Sequence, residues 1–152
     1  GLSKATEDKR QQIIDITELI TETHPTEAKA FAVHGDVLNF SNRANEAILA
    51  YEGALKLEKN IFSVWDQLLH LYQDQSKMKQ LLDKSEEALD YFPNEATVYY
   101  LNGLAANRLA MHSDALSSLM QADIMSRSNA KLNAEVQLEI IKAKSGVEKK
   151  NK

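Results

Sequence analysis

The sequence has no cysteine and little proline or glycine, and each shortage excludes a class of structure or site. Without cysteine the chain can form no disulfide, no thiolate zinc site and no cysteine nucleophile. Only 2 of its 152 residues are Pro and 5 are Gly, which leaves little material for long irregular connections. Ala, Leu, Glu and Lys are abundant, and these residues favour helices. The composition therefore predicts an all-α fold with short turns.

Positive charge and long apolar runs are also lacking. The net charge is -4 and the sequence pI is about 5.6, so nothing in the overall charge favours a nucleic acid as partner. No apolar run approaches the roughly 20 residues that span a bilayer, so we expect no membrane span in this fragment. The chain begins with Gly1 rather than Met, which suggests that a native targeting segment or further domains are missing. Its compartment is left open.

Apolar residues that recur at three- and four-residue steps predict eight amphipathic helices. The first covers residues 7–24 and ends at Pro25, because the residue before a proline avoids the helical conformation. Thr26 and Asn94 are the residue types that cap helices, and we expect them to begin the second and the sixth. Connections of two to four residues imply that consecutive helices are antiparallel.

The helices repeat with a period of 34 residues. Phe31, Trp65 and Tyr99 are spaced by this interval, and other positions follow it or its double: Ala54, Ala88 and Ala122; Ala47, Leu81 and Ala115; Gly35 and Gly103; Pro25 and Pro93. So many coincidences at one period are very improbable by chance. Self-similarity at this length is typical of solenoids built from helical hairpins.

On these residues the chain resembles the tetratricopeptide-repeat (TPR) proteins. The resemblance implies a right-handed superhelical solenoid of antiparallel helix pairs, with three TPR repeats and a flanking helix at each end. The expected single domain, 1–152, comprises a leading helix at 7–24, repeats at 28–61, 62–95 and 96–129, a capping helix at 130–145 and a disordered tail at 146–152.

Three departures from the TPR pattern stand out. His34 and Asn102 occupy positions where Leu is usual, and Leu69 occupies one where Gly is usual. A small residue allows two helices to approach closely, so Leu69 must alter the packing of the middle repeat. We expect it to fill space there, and Leu69→Gly to destabilise the protein.

The resemblance implies that the first helix of each repeat lines a concave surface that binds proteins or peptides. The partner-binding residues that it assigns are Asp36, Asn39, Asp66, His70, Gln73, Asp74, Tyr100, Leu104, Asn107 and Arg108. The early part of this set is acidic and the later part is aromatic and basic, which suggests a polypeptide ligand with a cationic segment at one end. TPR proteins that clamp a terminal carboxylate use Lys, Arg and Asn, and the matching positions here, among them Ala32, Thr97 and Leu101, lack those residues.

No residue pattern indicates catalysis. The sequence has no Gly-rich phosphate loop, no nucleophile elbow and no metalloprotease motif, so we expect no catalytic residues, no cofactor and no metal site. His70 lies four residues from both Asp66 and Asp74, and these side chains could form a pH-sensitive contact on one helix face. A simple surface role for His70 is the more economical interpretation. The leading hypothesis is thus a non-catalytic binding scaffold.

The alternative is a structural role, in which the chain forms a homodimer or part of a longer array. The last helix carries more apolar residues than one inward stripe needs, namely Leu132, Val136, Leu138, Ile140 and Ile141. Terminal repeats of solenoids normally have a polar outer face. Self-assembly through the last helix would explain the excess.

Overall fold

A computed structural model describes all residues from 1 to 152. It consists of eight α-helices and no strand, so the all-α prediction is confirmed. The helices are α1 (Lys4–Thr23), α2 (Ala28–Phe40), α3 (Ala44–Leu57), α4 (Phe62–Asp74), α5 (Met78–Tyr91), α6 (Ala96–Arg108), α7 (His112–Met125) and α8 (Ala130–Lys150). None of them has the length and apolarity needed to cross a membrane.

The turns inside the helix pairs repeat with the same period as the sequence. Asn42, Ser76 and Ala110 each adopt a left-handed backbone conformation, with φ of 59°, 54° and 60°, and they are spaced by 34 residues. The residue after each of them donates its N–H to the carbonyl five positions earlier, at 2.8–2.9 Å. This is the hydrogen bond of a Schellman motif, which satisfies a carbonyl at the end of a helix. Each first helix therefore ends in the same way.

Helix starts differ from the sequence prediction at three places. α1 begins at Lys4 rather than at residue 7, because Ser3 caps it. α2 begins after Glu27 and α6 after Glu95, and neither has a side-chain cap, so the caps predicted at Thr26 and Asn94 are wrong by one residue. α8 is capped as its sequence suggests, because the Asn129 side chain accepts a hydrogen bond from the Leu132 N–H at 3.1 Å.

The disordered tail predicted for residues 146–152 is wrong for residues 146–150, which continue α8 to Lys150. Gly146 lies directly against the imidazole of His112, and a Cβ at this position would overlap the ring. Tertiary packing thus holds a lysine-rich segment in a helix that its composition alone would leave frayed.

The chain forms two compact units, residues 1–71 and residues 72–152. In the first unit α1 packs on α2, and α2 packs on α3. A Cβ added to Gly35 would lie 2.6 Å from Tyr51 Cε1, so glycine is required where these helices approach most closely. Leu69, which has the equivalent position in the next repeat, is fully buried. The single domain and its repeat boundaries stay predictions.

In the second unit α6 contacts α5, α7 and α8, and α7 also contacts α8. Gly103 is the counterpart of Gly35, because a Cβ there would lie 2.5 Å from Leu119 Cγ. Ala115, Leu119 and Ala122 are fully buried, and they follow one another at steps of four and three along α7. The small residues of the repeat pattern therefore mark close helix packing in both units.

Two of the departures from the TPR pattern have polar partners. His34 Nδ1 lies 2.8 Å from Thr17 Oγ1 in the first unit. Asn102 in the second unit donates to Ser85 Oγ at 3.0 Å and accepts from Ser118 Oγ at 2.6 Å. A buried amide needs such partners to offset its loss of water. Each of these polar residues occupies a position that is usually apolar, and each has a polar side chain of a neighbouring helix as its partner.

Candidate functional site

In the first unit, Asp36 is an exposed carboxylate that the fold holds in place. It lies on α2, beside the close approach of Gly35 to Tyr51, and it accepts a hydrogen bond from the Tyr51 hydroxyl at 2.7 Å. Burial, together with this bond, raises the pKa of Tyr51 far above its ordinary value. The phenol therefore stays a donor, and Asp36 keeps its remaining acceptor capacity towards solvent.

Asn39 follows Asp36 by almost one turn and borders a shallow depression of about 340 Å³. Its side-chain amide donates to Gln67 Oε1 at 3.3 Å. Phe40, which is 79% exposed, forms another part of the wall. Its ring lies 5.8 Å from the guanidinium carbon of Arg10, within range of a cation–π contact. The depression thus combines amide groups, a carboxylate and an open aromatic face.

Asp66 and His70 lie one turn apart on α4. His70 Nδ1 is 2.8 Å from the Asp66 carbonyl oxygen and 3.3 Å from Asp66 Oδ1. The short distance to a carbonyl means that Nδ1 carries a proton. The structure thus brings two of the predicted residues together. Asp74, the third member of the predicted cluster, is exposed in the second unit.

The second unit uses its predicted surface residues internally. Asn107 donates to both the backbone oxygen and the carboxylate of Glu139, each at 2.9 Å. Lys142 Nζ and Arg108 Nη1 approach the same carboxylate at 2.7 and 3.4 Å. Burial raises the pKa of Glu139, but the bonds from Lys142 and Asn107 and the charge of Arg108 outweigh it and lower the net pKa. Glu139 is therefore a buried, paired anion that joins α8 to α6.

Two predicted contact residues are buried in this arrangement. Leu104 is 4% exposed and Asn107 is 7% exposed, so their placement on an accessible surface is wrong. α8 packs against α6, and its Glu139 bonds to Asn107. Gln73 and Tyr100 are half-buried, and Arg108 is exposed but engaged with Glu139. Burial, with the nearby charges of Glu135 and Glu139, raises the pKa of Tyr100. The binding role of the full predicted set stays a prediction.

Two residues of these surfaces, Glu139 and Phe40, were not predicted from the sequence. Glu139 shares one face of α8 with Val136, Ile140 and Ala143, all of which are buried. A lone carboxylate within an apolar stripe signals a paired buried charge, and that signal was present in the spacing. Phe40 gave no such signal, because an aromatic residue at the end of a helix is normally part of a core.

The apolar excess of α8 divides into two faces. Val136 and Ile140 are buried, whereas Leu138 and Ile141 are 61% and 64% exposed. Ile140 thus belongs to the inward stripe, and only Leu138 and Ile141 need a further explanation. The structure contains no cluster of three or more potential metal ligands.

Comparison with known proteins gives the fold. No family model and no curated protein sequence matches the chain. YrrB, a TPR protein with an unusual peptide-binding site, matches with a TM-score of 0.71 and 16% identity, over 95% of this chain and 78% of YrrB. A MamA fragment from Desulfovibrio magneticus RS-1 also has a TM-score of 0.71 and 16% identity, with 95% and 83% covered.

The TPR2B domain of yeast Sti1, in complex with pHsp70, matches over 78% of this chain and 96% of the domain, with a TM-score of 0.67 and 16% identity. Likenesses at this level of identity report architecture rather than function. They agree with the 34-residue period, the repeated turns and the paired helices described above. This chain has the tetratricopeptide-repeat fold.

Proposed function

We propose that this chain is a non-catalytic scaffold that binds protein or peptide segments through the first helices of its repeats. The observation that carries the proposal is the surface of α2 and α4 in the first unit. Asp36 and Asp66 are solvent-accessible there, yet both carboxylates have a partner: the Tyr51 hydroxyl donates to Asp36 at 2.7 Å, and His70 Nδ1 lies 3.3 Å from Asp66 Oδ1. Polar groups that are already ordered lose less entropy when they bind a ligand.

The chemistry of this surface favours a cationic peptide segment. Asp36 and Asp66 supply negative charge, and Asn39 and Gln67 supply amides that can bond to an extended backbone. Charge-assisted hydrogen bonds are the stronger kind. YrrB and the Sti1 domain, which share this fold, have a peptide-binding site and a bound pHsp70, respectively, and this likeness supports the ligand class.

Selection from a library of displayed random peptides tests the proposal. We expect the enriched peptides to contain Lys or Arg, and their affinity to fall as salt is raised. In fluorescence anisotropy, the double variant Asp36→Asn, Asp66→Asn should bind a selected peptide at least about tenfold more weakly, since a hydrogen bond to a charged group contributes about 1.5–3 kcal/mol.

The matched control for this experiment is Asp83→Asn with Asp90→Asn, which removes two exposed carboxylates from α5. It should bind like the wild type. Enriched peptides without cationic residues, or equal weakening in the two double variants, would contradict the proposed surface.

A second candidate function, self-association, is favoured by a different observation. Leu138 and Ile141 expose most of their apolar side chains on one face of α8. Each Å² of apolar area removed from water contributes about 25 cal/mol of favourable free energy. A complex in which a second copy covers these residues would therefore be stabilised. Light scattering over a range of concentrations tests this candidate, and a strict monomer throughout would contradict it.

A further inference from the structure

The N-terminal helix, α1, corresponds to half of a repeat. In the 34-residue register, Ile13 and Ile20 of α1 correspond to Ala47 and Ala54 of α3. The two alanines are fully buried, whereas Ile13 is 50% and Ile20 is 40% exposed. α1 is therefore a second helix whose own first helix is not within residues 1–152, and the face that such a helix would cover is open.

α2 provides the other wall of this open site. Val33 and Phe40 are exposed, and Val37 is half-buried. Two depressions follow the seam between α1 and α2. One, of about 430 Å³, is lined by residues that include Ile13, Val37 and Phe40; the other, of about 250 Å³, includes Ile20 and Val33. We call these five residues the head groove.

The last helix carries the other half of a repeat. α8 follows the third repeat as a first helix, with no second helix after it. Ala134, Leu138 and Ile141 are exposed, and their spacing of four and three places them on one helix face. We call these three residues the tail stripe. A second helix and a first helix are together one complete repeat, so the two ends have complementary parts.

Contacts between first helices inside each unit show how the ends would match. Asn39 of α2 bonds to Gln67 of α4, and Asn107 of α6 bonds to Glu139 of α8. Asn39 and Asn107 occupy the same repeat position, and the next occurrence of that position after Asn107 is Ile141. It is the residue that would face a following first helix.

The acceptor side matches in the same way. In the 34-residue register, the position of Gln67 is held by Val33 in α2, and the position of Glu139 is held by Val37 in the same helix. Where the internal contacts join a polar residue to a polar residue, the terminal ones would join Ile141 to two valines. The residues that would meet at the two ends of the chain are thus all apolar.

The charges of the two terminal helices are also complementary. α1 contains five acidic and three basic residues, whereas α8 contains five basic and three acidic residues. Opposite net charge favours contact between these helices in different copies and disfavours α8 against α8.

We propose that copies of this chain associate head to tail, with α8 of one copy docked in the head groove of the next. The proposal rests on the second candidate function, self-association, and specifies its geometry. Because the two surfaces differ, the contact is heterologous, and repeated docking produces chains of copies rather than a closed dimer.

Two double variants test this geometry. The head variant, Ile13→Asp with Val33→Asp, places charges in the head groove. The tail variant, Leu138→Asp with Ile141→Asp, places them on the tail stripe. A control variant, Leu49→Asp with Ile124→Asp, changes two side chains of comparable exposure, 68% and 56%, on α3 and α7. Circular dichroism confirms that each variant is folded.

Sedimentation velocity of the whole chain then reports the assembly. We expect the mass of the wild type and of the control to rise with concentration beyond that of two copies. The head and tail variants should each sediment as a 17.1 kDa monomer. An equimolar mixture of the two should form a dimer and nothing larger, because it retains one intact head groove and one intact tail stripe.

The failures are distinguishable. A monomeric wild type would overturn both the head-to-tail geometry and self-association. If the head variant alone still assembles like the wild type, α8 associates by another route, and only the head-to-tail geometry is overturned. Dissociation of the control variant would overturn it as well, because the contact would then be unspecific.

Discussion

Asn39 in the first unit and Asn107 in the second occupy the same position of the repeat and are the same amino acid, but their surroundings differ. Asn39 makes one long hydrogen bond to Gln67, at 3.3 Å, on an accessible surface. Asn107 is buried and makes two bonds of 2.9 Å to Glu139. The repeat fixes where a side chain is placed, and the neighbouring helix decides whether that side chain is surface or core.

The same contrast explains the difference between the predicted binding residues of the two units. Asp36 and Leu104 also share a repeat position, yet Asp36 is exposed and Leu104 is buried. α8 packs on α6 in the second unit. A ligand-binding surface inferred from repeat position alone therefore overstates the accessible area near a terminal helix.

The largest loss of stability is expected from a substitution at Leu69. Leu69 is fully buried and stands where Gly35 and Gly103 occur in the other repeats. Leu69→Gly should lower the free energy of unfolding by about 3–6 kcal/mol, because it leaves a cavity and adds a flexible residue to a helix. Urea denaturation measures the change. An increase in stability would show that a small residue suits this position after all.

Truncating the two asparagines tests the comparison directly. Asn107→Ala should cost about 2–4 kcal/mol, since it removes donors from a buried carboxylate. Asn39→Ala should cost less than about 0.5 kcal/mol, as is usual for an exposed position. Both values come from the same denaturation experiment. Equal losses would mean that burial by α8 does not distinguish the two sites.

The repeated turns provide a smaller contrast. Ala110 has a positive φ, which is unfavourable for alanine, whereas Asn42 adopts the same conformation more readily. Ala110→Gly should raise the free energy of unfolding by about 0.5–1 kcal/mol. Asn42→Gly should change it by less than about 0.5 kcal/mol. Thermal or urea unfolding of the two variants decides whether the left-handed turn is strained in the second unit.

The smallest effect is expected from His34 in the first unit. Burial lowers its pKa below the ordinary value of 6.5, although Glu18 and Glu46 act in the opposite direction. The unfolded chain then binds the proton more readily, so the contribution of His34 is complete above about pH 6.5 and falls as the pH drops towards the folded pKa.

His34→Gln removes this titration and keeps a polar partner for Thr17. The midpoint of unfolding should therefore fall less between pH 7.5 and pH 5.5 in the variant than in the wild type. An identical pH dependence in the two proteins would show that the protonation of His34 is not coupled to folding.

Local sequence patterns predicted the helices well. All seven turns could be placed, because proline, polar pairs and the loss of apolar periodicity interrupt the helices. The end of α8 could not, because the lysines after Gly146 resemble a frayed terminus and the packing of Gly146 against His112 is not visible in the local sequence. The surface predicted on α6 failed for a similar reason, since packing by α8 is not visible in the spacing of α6 itself.

The sequence by itself determined the all-α fold, the 34-residue period and the close approaches at Gly35 and Gly103, because these depend on residue size and spacing within one repeat. Tertiary structure alone decided that Asn107 is core and Asn39 is surface, and that Glu139 is a buried anion. Those outcomes depend on which helix packs against a given face, and the repeat pattern is the same whether or not a neighbour is present.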